Sequence, residues 1–173
     1  MRHTATLVLF MAFLMALPQA ALPRSEEVIV VEVTSMIASS AEPAPGGEDD
    51  VDVDPRLAGL RKKLRSLFAY TSYDFLDRTR SEARVGEVCE TRLPGRFLLE
   101  VEPEPTEGER PLIEMTVSLV RNLPADRSQP GEVRPRREMV LRTKIRLENG
   151  GTVLLGGPPV GEGVLILALS ARR

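Results

Sequence analysis

The densest group of side chains that could do chemistry is an acidic run near residue 50. Within it three aspartates stand at alternate positions, the spacing of the first three ligands in an EF-hand calcium loop: Asp50, Asp52 and Asp54. The pattern then fails, because Pro55 stands where that loop needs a glycine, and Arg61 stands where it needs a glutamate ligand. We therefore expect an acidic flexible loop over residues 40–54 whose last residue caps a helix. Weak calcium binding outside an EF-hand is the alternative.

Catalysis by imidazole is excluded by the position of the chain's one histidine. His3 lies in the N-terminal segment that we expect to be removed from the mature protein. Serine and cysteine triads, histidine-ligated zinc and acid–base catalysis by histidine therefore have no side chain to use. We expect no catalytic residue, no cofactor and no metal ligand, and hence a protein that is not an enzyme.

A hydrolase of the glycoside type that uses carboxylates alone is the alternative that remains open. Its candidate carboxylates lie on or beside expected strands: Glu100, Glu102 and Glu114. Each of them alternates with apolar neighbours and is therefore expected to face solvent. Whether two such carboxyl groups lie close enough to act as a pair depends on the fold.

The single cysteine, Cys89, cannot form an intramolecular disulfide. We expect it to be buried on a strand as a small apolar side chain, since an exposed thiol would be oxidised outside the cytosol. A reactive thiol and an intermolecular disulfide are the alternatives.

Three cations at alternate positions of a later strand are the best candidates for binding a partner. Arg142, Lys144 and Arg146 alternate with less polar residues, which directs all three to one face of the strand. Such a row could bind an acidic protein or an envelope component, or it could be a solvated face that discourages edge-to-edge aggregation. Tyr70 is a further candidate, as an exposed aromatic contact, with packing in the core as the alternative.

Residues 1–20 have the three-part layout of a secretory signal peptide. Arg2 is followed by an uncharged apolar run, residues 7–17, and then by small residues where a signal peptidase would cut. The run is shorter than the roughly 20 residues that span a bilayer, so we expect cleavage and no transmembrane anchor. Without this segment 22 basic residues face 25 acidic ones, a charge of −3. We therefore expect an exported chain, periplasmic or secreted, that does not bind nucleic acid.

The order of the predicted elements indicates one α+β domain after the signal peptide. Residues 21–39, rich in valine, predict its first strand, and residues 55–68 predict an amphipathic helix whose leucines recur every three or four positions. Residues 55–173 hold this helix and the β-rich remainder of the same domain. We expect about seven to eight mainly antiparallel strands, in a sheet or small sandwich with the helix on one face.

Turn signals set the expected pairing of the strands. Strands are expected over residues 69–76 and 84–93, and the second should form a hairpin with residues 97–101. The asparagine–glycine pair at residues 149–150 predicts another hairpin, between the strand that carries the basic row and the strand after it. In the strand with the basic row, Met139 is expected to share the apolar side with the other hydrophobic residues.

The stretch from residue 148 to residue 169 resembles a hairpin of the bacterial secretins, the outer-membrane ring channels of type II and type III secretion. The resemblance rests on the turn sequence NGGT at residues 149–152, the glycine pair at residues 156–157 and the apolar strand at residues 163–169. It implies a ring or accessory subunit of a secretion system. The chain as a whole is also similar to small exported bacterial proteins.

These observations favour a non-enzymatic domain of the bacterial envelope or periplasm that binds a protein or an envelope component. Two alternatives stay open, namely a ring or accessory subunit of a secretion system and a hydrolase that uses carboxylates alone.

Overall fold

Nine β-strands make up most of the part of the chain that the structure describes. The computed structural model of this 173-residue protein describes residues 27–40, 51–106, 112–124 and 136–173. In chain order the strands are β1 (Val28–Ser39), β2 (Asp52–Val53), β3 (Ser72–Arg84), β4 (Cys89–Leu93), β5 (Phe97–Glu104), β6 (Leu112–Leu123), β7 (Arg136–Glu148), β8 (Thr152–Val160) and β9 (Gly163–Arg172). Between β2 and β3 a 3₁₀ turn, Pro55–Leu60, runs directly into the α-helix α1, Arg61–Leu67.

The strands form two sheets that share one core, as in a β-sandwich. The five-stranded sheet has the order β2-β3-β1-β9-β8, and the four-stranded sheet has the order β4-β5-β6-β7. Paired strands are antiparallel, except that the two residues of β2 pair in parallel with the start of β3. The predicted sandwich of mainly antiparallel strands is confirmed, and the predicted count of seven to eight strands is corrected to nine in the described residues.

The sandwich core lies between the two sheets and is built from alternate residues of the central strands. Side chains that are at most 2% exposed enter it from β1 and β9 on one side, and from β5 and β6 on the other: Ile29, Val31, Val33, Leu165, Leu167, Leu169, Leu99, Val101, Met115 and Val117. Burial of these apolar side chains is the main stabilising contribution to the fold.

A second core, the helix-side core, lies on the opposite face of the five-stranded sheet. It joins residues of β1 and β9 to residues of β2, β3 and the helical segment: Met36, Ala38, Ile166, Ala168, Val53, Tyr73, Leu57 and Leu64. The strands β1 and β9 are thus covered on both faces where Met36 and Ala38 pair with Ile166 and Val164, around Ile166 and Ala168. This double coverage explains why residues 165–169 are apolar without alternation.

The helical segment begins at Asp54, as the sequence predicts. The backbone N–H of Arg56 donates to Oδ1 of Asp54 at 2.9 Å, and the Arg56 guanidinium donates to Oδ2 at 2.6 Å. Two details differ from the predicted helix over residues 55–68, since the segment starts as 3₁₀ and α1 ends at Leu67. Leu67 is 63% exposed, because Phe68 follows it in an extended conformation and packs against the helix-side core instead.

The strand β3 is longer than the sequence indicates, because its second half is polar. Residues 77–82 lack the apolar alternation that reveals a half-buried strand, yet they pair with β1 throughout. Along most of its length β3 is an edge strand, and an edge strand tolerates charged side chains on its exposed positions.

The start of the chain and most of the acidic loop lie outside the described residues. This applies to the predicted signal peptide, residues 1–20, and to residues 41–50 of the predicted loop. The end of the segment expected as a loop belongs to the sheet instead, because β2 pairs with β3 there. Val53 of β2 is 2% exposed against the helix-side core.

The asparagine–glycine turn at residues 149–150 crosses from one sheet to the other. Gly150 has the positive φ of such a turn, +78°, but β7 and β8 belong to different sheets. The predicted β7–β8 hairpin is therefore wrong, because turn residues fix the local backbone and not the choice of pairing partner. The hairpin that the secretin resemblance implies within residues 148–169 is present, between β8 and β9.

A β-bulge in β7 places Met139 on the opposite side from the one predicted. Leu119 pairs with Leu141 and Val120 pairs with Met139, so that Val140 is an extra residue. Met139 is consequently 52% exposed.

The double coverage of the five-stranded sheet can be tested within α1 itself. Leu64 is 0% exposed in the helix-side core, so Leu64→Ala should lower the free energy of unfolding by roughly 2–5 kcal/mol. Leu67→Ala is the matched control, and its exposed side chain predicts a change within about 0.5 kcal/mol. Urea unfolding of both variants makes the measurement, and equal effects would show that α1 does not bury Leu64.

The cap at Asp54 predicts a pH dependence of stability. The Arg56 guanidinium and the backbone N–H of Arg56 lower the pKa of Asp54 from 3.8 to about 2. The contribution of the carboxylate is therefore present above pH 3.8 and is lost as the pH falls through about 2.

The variant Asp54→Asn keeps an oxygen that can cap the helix but cannot ionise. Between pH 4 and pH 2 we expect the thermal midpoint of the natural protein to fall more steeply than that of Asp54→Asn, as the pKa of about 2 requires. Parallel curves would mean that Asp54 is not ionised in the cap.

Candidate partner-binding surface

The outer face of the four-stranded sheet carries the predicted basic row. Because Leu99, Met115 and Val117 enter the sandwich core, their neighbours in β5 and β6 point away from it. We call the resulting surface of β5, β6 and β7 the charged face. It consists of Glu100, Glu102, Glu104, Glu114, Thr116, Ser118, Arg142, Lys144 and Arg146.

Strand register orders these side chains into three rows that run across the sheet. From β5 through β6 to β7 the rows are Glu100–Ser118–Arg142, Glu102–Thr116–Lys144 and Glu104–Glu114–Arg146. Acidic residues therefore lie along β5 and cations lie along β7. The strand β6 between them carries the two hydroxyl groups and Glu114. The predicted common face of Arg142, Lys144 and Arg146 is confirmed.

Two of the three cations are held by glutamates of β5 and β6. Lys144 pairs with Glu104 and, at 3.7 Å, with Glu114, while Nε of Arg146 lies 2.9 Å from Glu114. Thr116 completes the network by donating its hydroxyl to Glu104 at 2.6 Å. The row is thus partly neutralised by partners that sequence patterning did not identify.

The network shifts the titration of its members in the direction expected for ion pairs. Hydrogen bonds from Lys144 and Thr116 lower the pKa of Glu104. The reciprocal hydrogen bond to Glu104 raises the pKa of Lys144. Both groups therefore remain charged across the physiological range of pH.

Arg142 is the exception within the row, because it forms no ion pair with any residue that the structure describes. It lines a cavity of about 200 Å³ in the charged face. The other lining residues come from β5, β6, β7 and the loop before β4: Glu100, Glu102, Thr116, Ser118, Met139 and Val88. The cavity therefore combines an available guanidinium with carboxylates, hydroxyls and two exposed apolar side chains.

Two of the three candidate carboxylates of the hydrolase alternative line this cavity. Glu100 and Glu102 both come from β5, and Glu100 is held by Arg137 at 3.2 Å. Glu114 is outside the cavity lining and pairs with the cations of β7.

Tyr70 lies on the far side of the molecule from the charged face. It is half-buried against the helix-side core, where its ring meets that of Tyr73 edge to face with 6.4 Å between centroids. The structure therefore brings together Arg142, Lys144 and Arg146 but not Tyr70.

Cys89 is the first residue of β4 and is half-buried, whereas the sequence predicts full burial. It packs against the sandwich core and also lines a cavity of about 310 Å³ beside β3. Its position at the start of a short strand explains why coverage is incomplete.

Several kinds of site are absent from the described parts of the chain. Residues 27–40, 51–106, 112–124 and 136–173 contain no group of three or more His, Cys, Asp or Glu placed to hold a metal ion. In the same ranges no helix is long and apolar enough to cross a bilayer. Every buried side-chain nitrogen or oxygen there has a hydrogen-bond partner.

Sequence reasoning missed Met139, Val88 and the hydroxyl groups of β6 as parts of this surface. The sequence signal for Ser118 and Thr116 was present, since they alternate with apolar residues in β6. No local signal marked Met139, because the bulge that turns it outward becomes visible only in the pairing of β6 with β7.

Comparisons with known proteins give little further guidance. No protein-family model matches the chain, and no curated protein matches it. Among solved structures, the chain has a weak, partial similarity to the type II secretion system secretin XcpQ from Pseudomonas aeruginosa, with 10% sequence identity and a TM-score of 0.28. The match covers 84% of this chain but 57% of the secretin chain. A TM-score this low supports no conclusion about fold or function.

Proposed function

We propose that the chain is an exported, non-enzymatic domain of the bacterial envelope that binds another protein through the charged face. The observation that carries this proposal is the cavity around Arg142, whose guanidinium forms no ion pair with a described residue. Export is proposed from the signal-peptide pattern of residues 1–20.

The size of the cavity favours a protein as the partner. Its volume of about 200 Å³ is below the roughly 300–1,000 Å³ that is usual for pockets that enclose a small molecule. Met139 and Val88, which are 52% and 55% exposed, flank it. Exposed apolar side chains beside a charged cavity are suited to a protein surface, which buries apolar and polar groups together.

A hydrolase that uses carboxylates alone remains the second candidate. In its favour, Glu100 and Glu102 line the same cavity. Against it, Arg137 holds Glu100 in an ion pair at 3.2 Å, so one of the two carboxylates is already engaged. If the natural protein hydrolyses an envelope glycan and Glu100→Gln does not, the chain is a hydrolase and the binding proposal is wrong.

A ring or accessory subunit of a secretion system is the third candidate. Its support is the resemblance of residues 148–169 to a secretin hairpin, together with the presence of the β8–β9 hairpin within that stretch. A stable ring in solution would favour this candidate.

Photo-crosslinking from two positions tests the binding proposal. A photoreactive amino acid replaces Met139 beside the cavity or, as the matched control, Leu67 on the opposite side of the five-stranded sheet. Both positions are more than half exposed, at 52% and 63%. In the chain's own cells, we expect a discrete crosslinked protein from position 139 in the exported fraction and none from position 67.

A charge reversal then links the crosslink to the cavity. Arg142→Glu should reduce the crosslink from position 139, while Arg80→Glu, an exposed change of the same charge on β3, should not. Equal crosslinking from positions 139 and 67, or indifference to Arg142→Glu, would contradict binding through the charged face.

A further inference from the structure

We propose that the partner binds by adding a β-strand to the open edge of β7, and that this strand alternates apolar residues with aspartate or glutamate. The inference rests on the proposed function and specifies the chemistry of the partner. Strand addition of this kind uses main-chain hydrogen bonds for affinity and alternate side chains for specificity.

The edge of β7 is the most suitable of the sheet edges in the described residues. β7 is the last strand of the four-stranded sheet, contains neither proline nor glycine, and pairs regularly over the eight residues 141–148 that follow the bulge at Val140. At the other end of that sheet, β4 has only 5 residues. In the five-stranded sheet, β8 is interrupted by Pro158 and Pro159, which cannot donate to an added strand.

The remaining edge, β3, lacks an apolar surface that an added strand could cover. Thr79 and Ser81 pair with Val33 and Val31, so the positions of β3 that face the sandwich core here are polar. The edge of β7 differs in this respect.

The sandwich core is incompletely covered beside β7. Half-buried apolar side chains of β7 and of the neighbouring edge strand β8 that pack against the core include Leu141, Ile145, Val153 and Leu155. One strand further in, Met115 and Val117 of β6 are 0% exposed. An added strand with apolar residues on its inner side would cover these side chains and extend the core by one strand.

The outer side of the added strand would lie beside the basic row. The strand β7 carries five basic and two acidic residues, a net charge of +3. Side chains directly opposite on neighbouring strands interact, and opposite charges stabilise the pairing. Acidic residues at alternate positions of the partner would therefore face Arg142, Lys144 and Arg146.

The same row disfavours a second copy of this chain as the occupant. Antiparallel self-pairing of β7 about any centre within residues 142–146 places cations opposite cations, and like charges directly opposite are destabilising. The basic row therefore selects an acidic strand and rejects β7 itself.

A synthetic peptide provides the test. In the probe, valine alternates with glutamate over a length that matches residues 141–148, the regular part of β7 beyond the bulge at Val140. The control peptide carries lysine in place of glutamate. We expect the mature chain to bind the glutamate peptide, and to bind the lysine peptide about tenfold more weakly, as several cross-strand charge pairs would give. Arg142→Glu should narrow or reverse this preference, and Arg80→Glu should leave it unchanged.

Methylation of the peptide backbone distinguishes the edge from the face. In a strand the N–H groups of alternate residues point to opposite sides, so those of the glutamates and those of the valines form two separate sets. Methylating one set should abolish binding, and methylating the other should preserve it.

The inference is overturned if the glutamate peptide does not bind, or if the lysine peptide binds equally well. It is also overturned if methylating either set of N–H groups has the same effect on binding. If position 139 still crosslinks to a partner in those cases, binding through the charged face stands and strand addition alone is rejected.

Discussion

The rest of the structure depends on burying β1 and β9 on both faces. Each of these strands supplies alternate residues to two cores, so the five-stranded sheet needs one cover beneath and another above. The four-stranded sheet provides the first cover, and the helical segment with β2 provides the second. The helical segment covers its side only in part, since Glu32 and Arg78 there are 43% and 47% exposed. The outer face of the four-stranded sheet, the charged face, has no cover among the described residues and is polar because water contacts it.

Polarity alone does not account for the arrangement of that face. Exposed ion pairs add little to stability, so the pairing of Lys144 and Arg146 with glutamates is weak as a stabilising device. The pairing instead orients Lys144 and Arg146 of β7, while Arg142 remains without an ion pair in the described residues. Together with the half-buried side chains beside β7, this makes one edge of the sandwich chemically different from the others.

The sequence predicts what depends on neighbours along the chain and misses what depends on distant strands. The cap at Asp54, the apolar run of β9 and the common face of Arg142, Lys144 and Arg146 follow from local spacing. Three other features depend on which strands pair and in what register. They are the placement of β7 and β8 in different sheets, the bulge at Val140 and the glutamates that hold Lys144. Periodicity carries no information about pairing between remote strands.

Amide hydrogen exchange along β7 tests most directly whether its edge is open. Every second N–H of β7 points away from β6. We expect these groups to exchange fast in the isolated protein while the alternate set is protected. The fast set should become protected when the partner or the glutamate peptide is added. Protection of both sets in the isolated protein would contradict the account, because the edge would then already be occupied.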